Sequence, residues 1–280
     1  MLLFRRGKKR AVDSAFLPKL PPGDRVYAIG DIHGRADLLE ALIRLIRADI
    51  QIASPANRPI VVTLGDYIDR GGESGRVLDI LCRAEFAPDF HLVPLRGNHD
   101  QFLLDFLEQP VLGRSWINYG GGATLAAYGV PVPRTQTDEN AWIAAGEQLA
   151  EIIPSEHLEF IRRAAFVYTL GDYVFVHAGV RPGVPLDQQK TSDLISIRDV
   201  FLSSRNPLPG HVVVFGHTPF ETPLVDQARI GVDTGACATG VLTAVVLEGE
   251  ERSFLRTGRG DDLDSAYADK SEFSHSPRRL

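Results

Sequence analysis

The sequence predicts an α/β fold, a β-sandwich of two mixed sheets flanked by helices. Three observations carry that expectation. The first half alternates short β-branched runs with longer segments of helical periodicity, the mark of parallel strands joined by crossovers. The second half is richer in strand-like runs, as a second sheet packed on the first requires. Five short motifs rich in metal-binding side chains follow the strand runs: GDIHG at 30–34, GDYIDRG at 65–71, GNHD at 97–100, HAG at 177–179 and GHTP at 216–219.

The elements follow in order. RVYAI at 25–29 reads as a strand, and 37–48 repeats apolar residues at helical spacing, with Leu38, Leu42, Leu45 and Ile46 on one face. The unit recurs. IVVTL at 60–64 precedes the second motif and a helix near 76–86, and the run at 90–95 precedes the third motif and a helix at 101–109. In a parallel sheet, the loops after neighbouring strands share one edge, so ligands distant in sequence can converge there. After the prolines of 131–133, residues 139–165 turn mostly helical; this stretch, about 131–165, is expected to be an insertion over the site. The runs 166–170 and 173–177 read as a hairpin turning at Gly171-Asp172, followed by strands at 212–215, 229–233 and 242–248. One domain is expected over 22–256, between a basic tail at 1–21 and a polar tail at 257–280.

Composition narrows the function classes. Thirty basic against thirty-six acidic residues leave a formal charge of −6, which argues against nucleic acid as the main partner. No apolar run approaches the ~18 residues of a membrane span, and MLLFRRGKKR lacks the apolar stretch of a signal sequence. A cytoplasmic protein is expected, with Cys82 and Cys237 as reduced thiols and Arg5, Arg6, Lys8, Lys9 and Arg10 in a solvated tail. His157 has no paired ligand and reads as a surface residue.

The motifs carry the chemistry. Asp31 and His33 stand two positions apart, so in an extended segment both project to one side and can share a cation. Asp66 could bridge that cation to a second, because an anionic bridge reduces the repulsion between them. Asn98, His177 and His217 would complete the second site. Mixed nitrogen and oxygen ligation favours manganese, iron or zinc over magnesium or calcium. His99 would be free to protonate a leaving oxygen, oriented by Asp69, and Arg70 offers a planar fork of donors to phosphate. Singly, each motif is weak, since an isolated Asp-x-His is more often a capped turn; their ordered co-occurrence is the signal.

Carrying these motifs in this order, the chain resembles the calcineurin-like metallophosphoesterase superfamily, and within it the bacterial-type serine/threonine phosphoprotein phosphatases. NYGGGATLAAYG at 118–129, LISIRDVF at 194–201 and DTGACATGVLTAVVLE at 233–248 extend the resemblance over most of the chain. It implies a four-layer metallophosphoesterase-like fold and two divalent metals, manganese foremost, with iron or zinc as alternatives. It places Asp31, His33 and Asp66 at one metal, and Asp66, Asn98, His177 and His217 at the other. It makes His99 and Asp69 an acid dyad, and Arg70 and Arg198 the phosphate clamp, with Asp233 positioning a ligand loop. The usual motif of these phosphatases is GNHE; Asp100 replaces the glutamate, as in the related symmetrical diadenosine tetraphosphate hydrolases. The expectation is therefore a metal-dependent phosphomonoester hydrolase acting on phosphorylated proteins. A dinucleotide or other small phosphoester hydrolase is the alternative, and a non-catalytic binding protein on the same fold the second.

Overall fold

The computed structural model describes residues 17–258 and 277–280; the expected basic tail up to residue 16 and the polar segment 259–276 lie outside the described residues. Three strands, β1 (Arg25–Ile29), β2 (Ile60–Thr63) and β3 (His91–Pro94), pair in parallel. The next five, β4 (Val167–Leu170), β5 (Tyr173–Val176), β6 (Val212–Phe215), β7 (Leu224–Val225) and β8 (Arg229–Gly231), form a second sheet in the order β4-β5-β6-β8-β7. The chain then returns through β9 (Thr243–Glu248) and β10 (Glu251–Arg256), giving the first sheet the order β10-β9-β1-β2-β3. Both sheets are mixed, as expected: β9 runs antiparallel to β1, and β4 antiparallel to β5.

Period-two alternation builds the layers. Val26, Ala28, Val62 and Leu64 point between the sheets, where they meet Phe175, Val214, Ile230, Val245 and Phe254. Their neighbours Tyr27, Ile29 and Val61 point outward onto the helices. Those helices are α1 (Ala36–Ala53) and α2 (Ser74–Ala84), each starting just beyond a motif, and α3 (Asn98–Glu108), starting within one, followed by α4 (Gly113–Trp116), α5 (Gly121–Ala127), α6 (Glu139–Ile152) and α7 (Ser155–Arg163). On the far side, Val174, Val176, Val213 and Phe215 bury Leu194 of α8 (Thr191–Ser196) and Phe201 of α9 (Asp199–Leu202). A last short helix, α10 (Ala236–Thr239), precedes β9. The result is four layers, helix, sheet, sheet and helix. No helix among the described residues is long and apolar enough to cross a membrane.

The structure departs from the sequence reading in several places. β7 has only two residues, too short for a periodic signal. β10, a strand inside the expected domain that the sequence did not mark, closes a two-residue hairpin on β9 at Gly249, whose φ of 54° suits the turn. The helices of 139–165, expected as an insertion, join the helical layer. α6 packs on α3 and α7 on α2 and α3, extending the helical layer, because the faces of Trp142, Leu149, Phe160 and Ile161 must be covered. Nor is His157 a surface residue: it is 2% exposed, its Nδ1 2.8 Å from the Tyr128 hydroxyl and its Nε2 3.1 Å from Asp79. Leu20, assigned to the basic tail, is buried in the inter-sheet core.

Candidate active site

All five motifs leave strands at one edge, where the first sheet and the second contribute to a common cluster. Asp31 and His33 follow β1, Asp66 follows β2, Asn98 begins α3 after β3, His177 follows β5 and His217 follows β6. The loops are forced into unusual shapes. Among the described residues, six non-glycine residues have positive φ, and five of them, His33, Asp66, Asp69, Arg70 and His217, belong to these motifs. Left-handed backbone outside glycine is costly, and such residues gather where side-chain position matters more than local comfort. Glycines let the strands come this close: a Cβ on Gly97 would stand 2.1 Å from the Asp66 carboxylate, and one on Gly216 2.2 Å from that of Asp31.

Asp66 is the hub. It shares one set of convergent side chains with His33 and His99, and another with His177 and His217. Its carboxylate is 3.6 Å from His33 Nε2 and 3.4 Å from His177 Nε2, and Asn98 Oδ1 is 3.1 Å from the same nitrogen of His177. Burial alone would raise the Asp66 pKa, but the imidazoles of His177, His99 and His33 outweigh it and hold the carboxyl well below its usual range. Asp31 takes part from the other side, its oxygens accepting the His217 amide at 3.0 and 3.1 Å and its carboxylate 4.0 Å from His33 Nε2.

Tautomers follow from the partners. His33 Nδ1 donates to the Ile68 carbonyl at 2.9 Å, which leaves Nε2 bare, buried and without a hydrogen-bond partner, facing two carboxylates. An orphaned imidazole nitrogen in that position fits a cation. His177 Nδ1 is likewise held by the Leu64 carbonyl, 2.8 Å away. Burial pushes His33 down to about 3 and His217 to about 2, so both rings are neutral at physiological pH, the form that binds metal. Arg198 reaches the cluster through His217, its Nε donating to Nε2 at 2.9 Å.

A second network runs beside the first. His99 Nδ1 is 2.7 Å from Asp69, and its Nε2 is 3.1 Å from the Arg70 guanidinium. Asp69 also accepts the Trp116 indole at 2.6 Å and the Thr124 hydroxyl at 2.5 Å, while its amide is bonded by Thr124 and Ser74. Burial opposes a charge on His99, but Asp66 and Asp69 prevail and raise its pKa. Thr124 lies in the segment 118–129 that extends the resemblance, with no role read for it there; Trp116 and Ser74 carry no motif at all.

Asp100, which stands where the resemblance leads one to expect glutamate, binds main chain only. Its carboxylate accepts the amides of Asp66, Tyr67 and Gly97 at 2.8, 3.0 and 2.9 Å, tying the Asp66 loop to the start of α3. It is fully buried, its pKa raised to about 7 by burial and by the charge of Asp66. The Asp-for-Glu difference therefore lies behind the ligands and offers no basis for choosing a substrate. Asp233, also buried, has its pKa raised to about 6 by burial; it caps the Gly235 amide at 2.9 Å and lines a cavity with His33 and Arg70.

Comparison with known proteins agrees with this geometry. The calcineurin-like phosphoesterase family model matches residues 24–238. An asymmetrical bis(5'-nucleosyl)-tetraphosphatase PrpE from Geobacillus thermodenitrificans is 29% identical over 238 residues, covering 78% of this chain and 88% of its own. Serine/threonine-protein phosphatase 1 of Salmonella typhimurium is 29% identical over 223 residues, covering 78% and 89%. The crystal structure of a putative diadenosine tetraphosphatase superposes with a TM-score of 0.56 at 20% identity, covering 88% of this chain and all of that one. With a two-sheet fold, a ligand cluster centred on Asp66 and a family match across most of its length, the chain belongs to the calcineurin-like phosphoesterase family.

Proposed function

We propose that the protein is a dinuclear metal-dependent phosphomonoester hydrolase that acts on phosphoserine and phosphothreonine in proteins. The observation that carries the reading is the Asp69–His99 pair beside Asp66, with Arg70 at the outer nitrogen of His99. Held by Asp31, His33 and Asp66 on one side and by Asp66, Asn98, His177 and His217 on the other, two divalent cations, manganese foremost and iron or zinc as alternatives, would supply Lewis acidity and an acidified water. The chain's own residues do the rest. Asp69, fixed by Trp116 and Thr124, holds the His99 ring by Nδ1 and supports positive charge on it. His99 then passes a proton from Nε2 to the departing oxygen. In this structure Arg70 donates to that nitrogen, so substrate phosphate must draw the guanidinium away before Nε2 can hold the transferable proton. Arg198, anchored on His217, supplies the second set of donors.

The leaving group decides between substrates. A serine or threonine alkoxide is strongly basic and must be protonated as it departs, which is the work an Asp–His dyad does; a nucleotide phosphate leaves as a stable anion and needs that help far less. The dyad thus supports the phosphoprotein reading, while similarity to PrpE supports a dinucleoside polyphosphate as the alternative. Manganese-loaded protein is expected to release phosphate from a phosphopeptide faster than it cleaves diadenosine tetraphosphate. His99→Asn is expected to lower kcat on the phosphopeptide by roughly 10²–10⁴-fold. Cleavage of the dinucleotide alone would sink the proposal in favour of the alternative, and turnover of neither by metal-loaded protein would return the chain to a binding role.

A further inference from the structure

Residues 277–280 do not trail away from the domain. Glu221 N donates to Arg278 O at 3.0 Å and Leu280 N donates to Pro219 O at 3.0 Å, so that Phe220 and Arg279 face each other in an antiparallel bridge. The strip of backbone that receives them begins two residues after His217, and Phe220 N is itself bonded to the Asp233 carbonyl at 3.0 Å. Arg279 reaches Asp199 at 2.8 Å, next to Arg198, and Arg278 lies 3.8 Å from Glu221. Leu280 closes one side of a cavity of about 300 Å³ that it shares with His33, Arg70, Asp233 and Cys237. The segment therefore sits on the rim of the candidate active site.

From these contacts we infer that the edge at Pro219–Phe220–Glu221 is a docking site for extended peptide, filled in cis by residues 277–280, and that this segment competes with the polypeptide flanking a phosphorylated residue. Recognition is mainly through backbone hydrogen bonds, which any extended chain can supply, with specificity added by side chains on alternate sides. Here those side chains are basic residues opposite Asp199 and Glu221 and an apolar residue over Gly235. The contact is shallow: Leu280 remains 54% exposed, and exposed ion pairs contribute little. Docking of this kind is readily exchanged, as a competitor on the same chain must be.

The inference rests on the phosphoprotein reading only for the identity of what is displaced, so the test separates the two. In the full chain, Arg279→Glu combined with Leu280→Asp removes the ion pair and the apolar contact. A phosphopeptide with basic residues beside the phosphoserine is expected to show a KM at least threefold lower on this variant than on the unaltered chain. A labelled peptide of residues 271–280 is expected to bind the variant by fluorescence anisotropy and to raise that KM without changing kcat, while a peptide of the same composition in scrambled order does neither. An unchanged KM together with no anisotropy change overturns the docking site. If the labelled peptide binds and the phosphopeptide is not hydrolysed, the docking edge stands and the phosphoprotein reading falls.

Discussion

Asp100 and Trp116 show how residues behind the candidate site hold its loops and side chains in place. Because the Asp100 carboxylate is spent on three backbone amides behind Asp66, Asp100→Glu is expected to leave the ratio of kcat/KM between phosphopeptide and diadenosine tetraphosphate within about threefold, the order of a change that reaches the ligands only through packing. A reversal of preference would place that residue in the substrate site after all. Trp116→Phe keeps the ring but removes its N–H from a buried carboxylate. It is expected to cost about 1–3 kcal/mol of stability, measured by denaturant unfolding, and to lower kcat by loosening Asp69. The convergent Asp, Asn and His side chains were legible because ligand chemistry restricts residue type and their motifs sit at strand ends. Trp116, Thr124 and Ser74 were not: what they do depends on which buried oxygen they meet, and tertiary packing alone decides that. His157 failed for the same reason, its partners lying 29 and 78 residues away.

At the scale of elements, long periodic segments were readable and short or packing-defined ones were not. β1 and the body of α1 follow from alternation and from a helical stripe whose apolar residues recur three and four positions apart. The two-residue β7 carries no pattern, and β10 alternates too weakly to mark a strand. The placement of α6 and α7 could not be read because a helix's sequence reveals that one face is apolar, not which neighbour will cover it. Their anchoring is testable. His157 on α7 links Tyr128, just after α5, to Asp79 on α2, so His157→Ala is expected to lose about 1–3 kcal/mol and to lower Tm by about 2–4 °C for each kcal/mol lost. Phosphoester hydrolysis per folded molecule is expected to stay near that of the unaltered protein; a large loss of kcat would mean that this joint reaches the site.

For the whole molecule, the decisive feature is that the cluster of candidate metal ligands spans both sheets. Asp31, His33, Asp66 and Asn98 come from the loops of the first, His177 and His217 from those of the second. A cation bound there belongs to the folded state alone and must stabilise it by mass action, by about 2.7 kcal/mol at a free concentration 100 times its Kd. Prolonged chelation is therefore expected to abolish turnover and lower Tm together, and manganese to restore both; an unchanged Tm would show that the cluster holds no structural share of the metal. The left-handed backbone at His33, Asp66, Asp69, Arg70 and His217 has a consequence for descent as well as for catalysis. At each of these positions glycine would relieve the main chain, so a lineage freed from the chemistry would gain by shedding the side chains one after another. An inert descendant is therefore expected to be recognisable by glycine or asparagine appearing first at these positions.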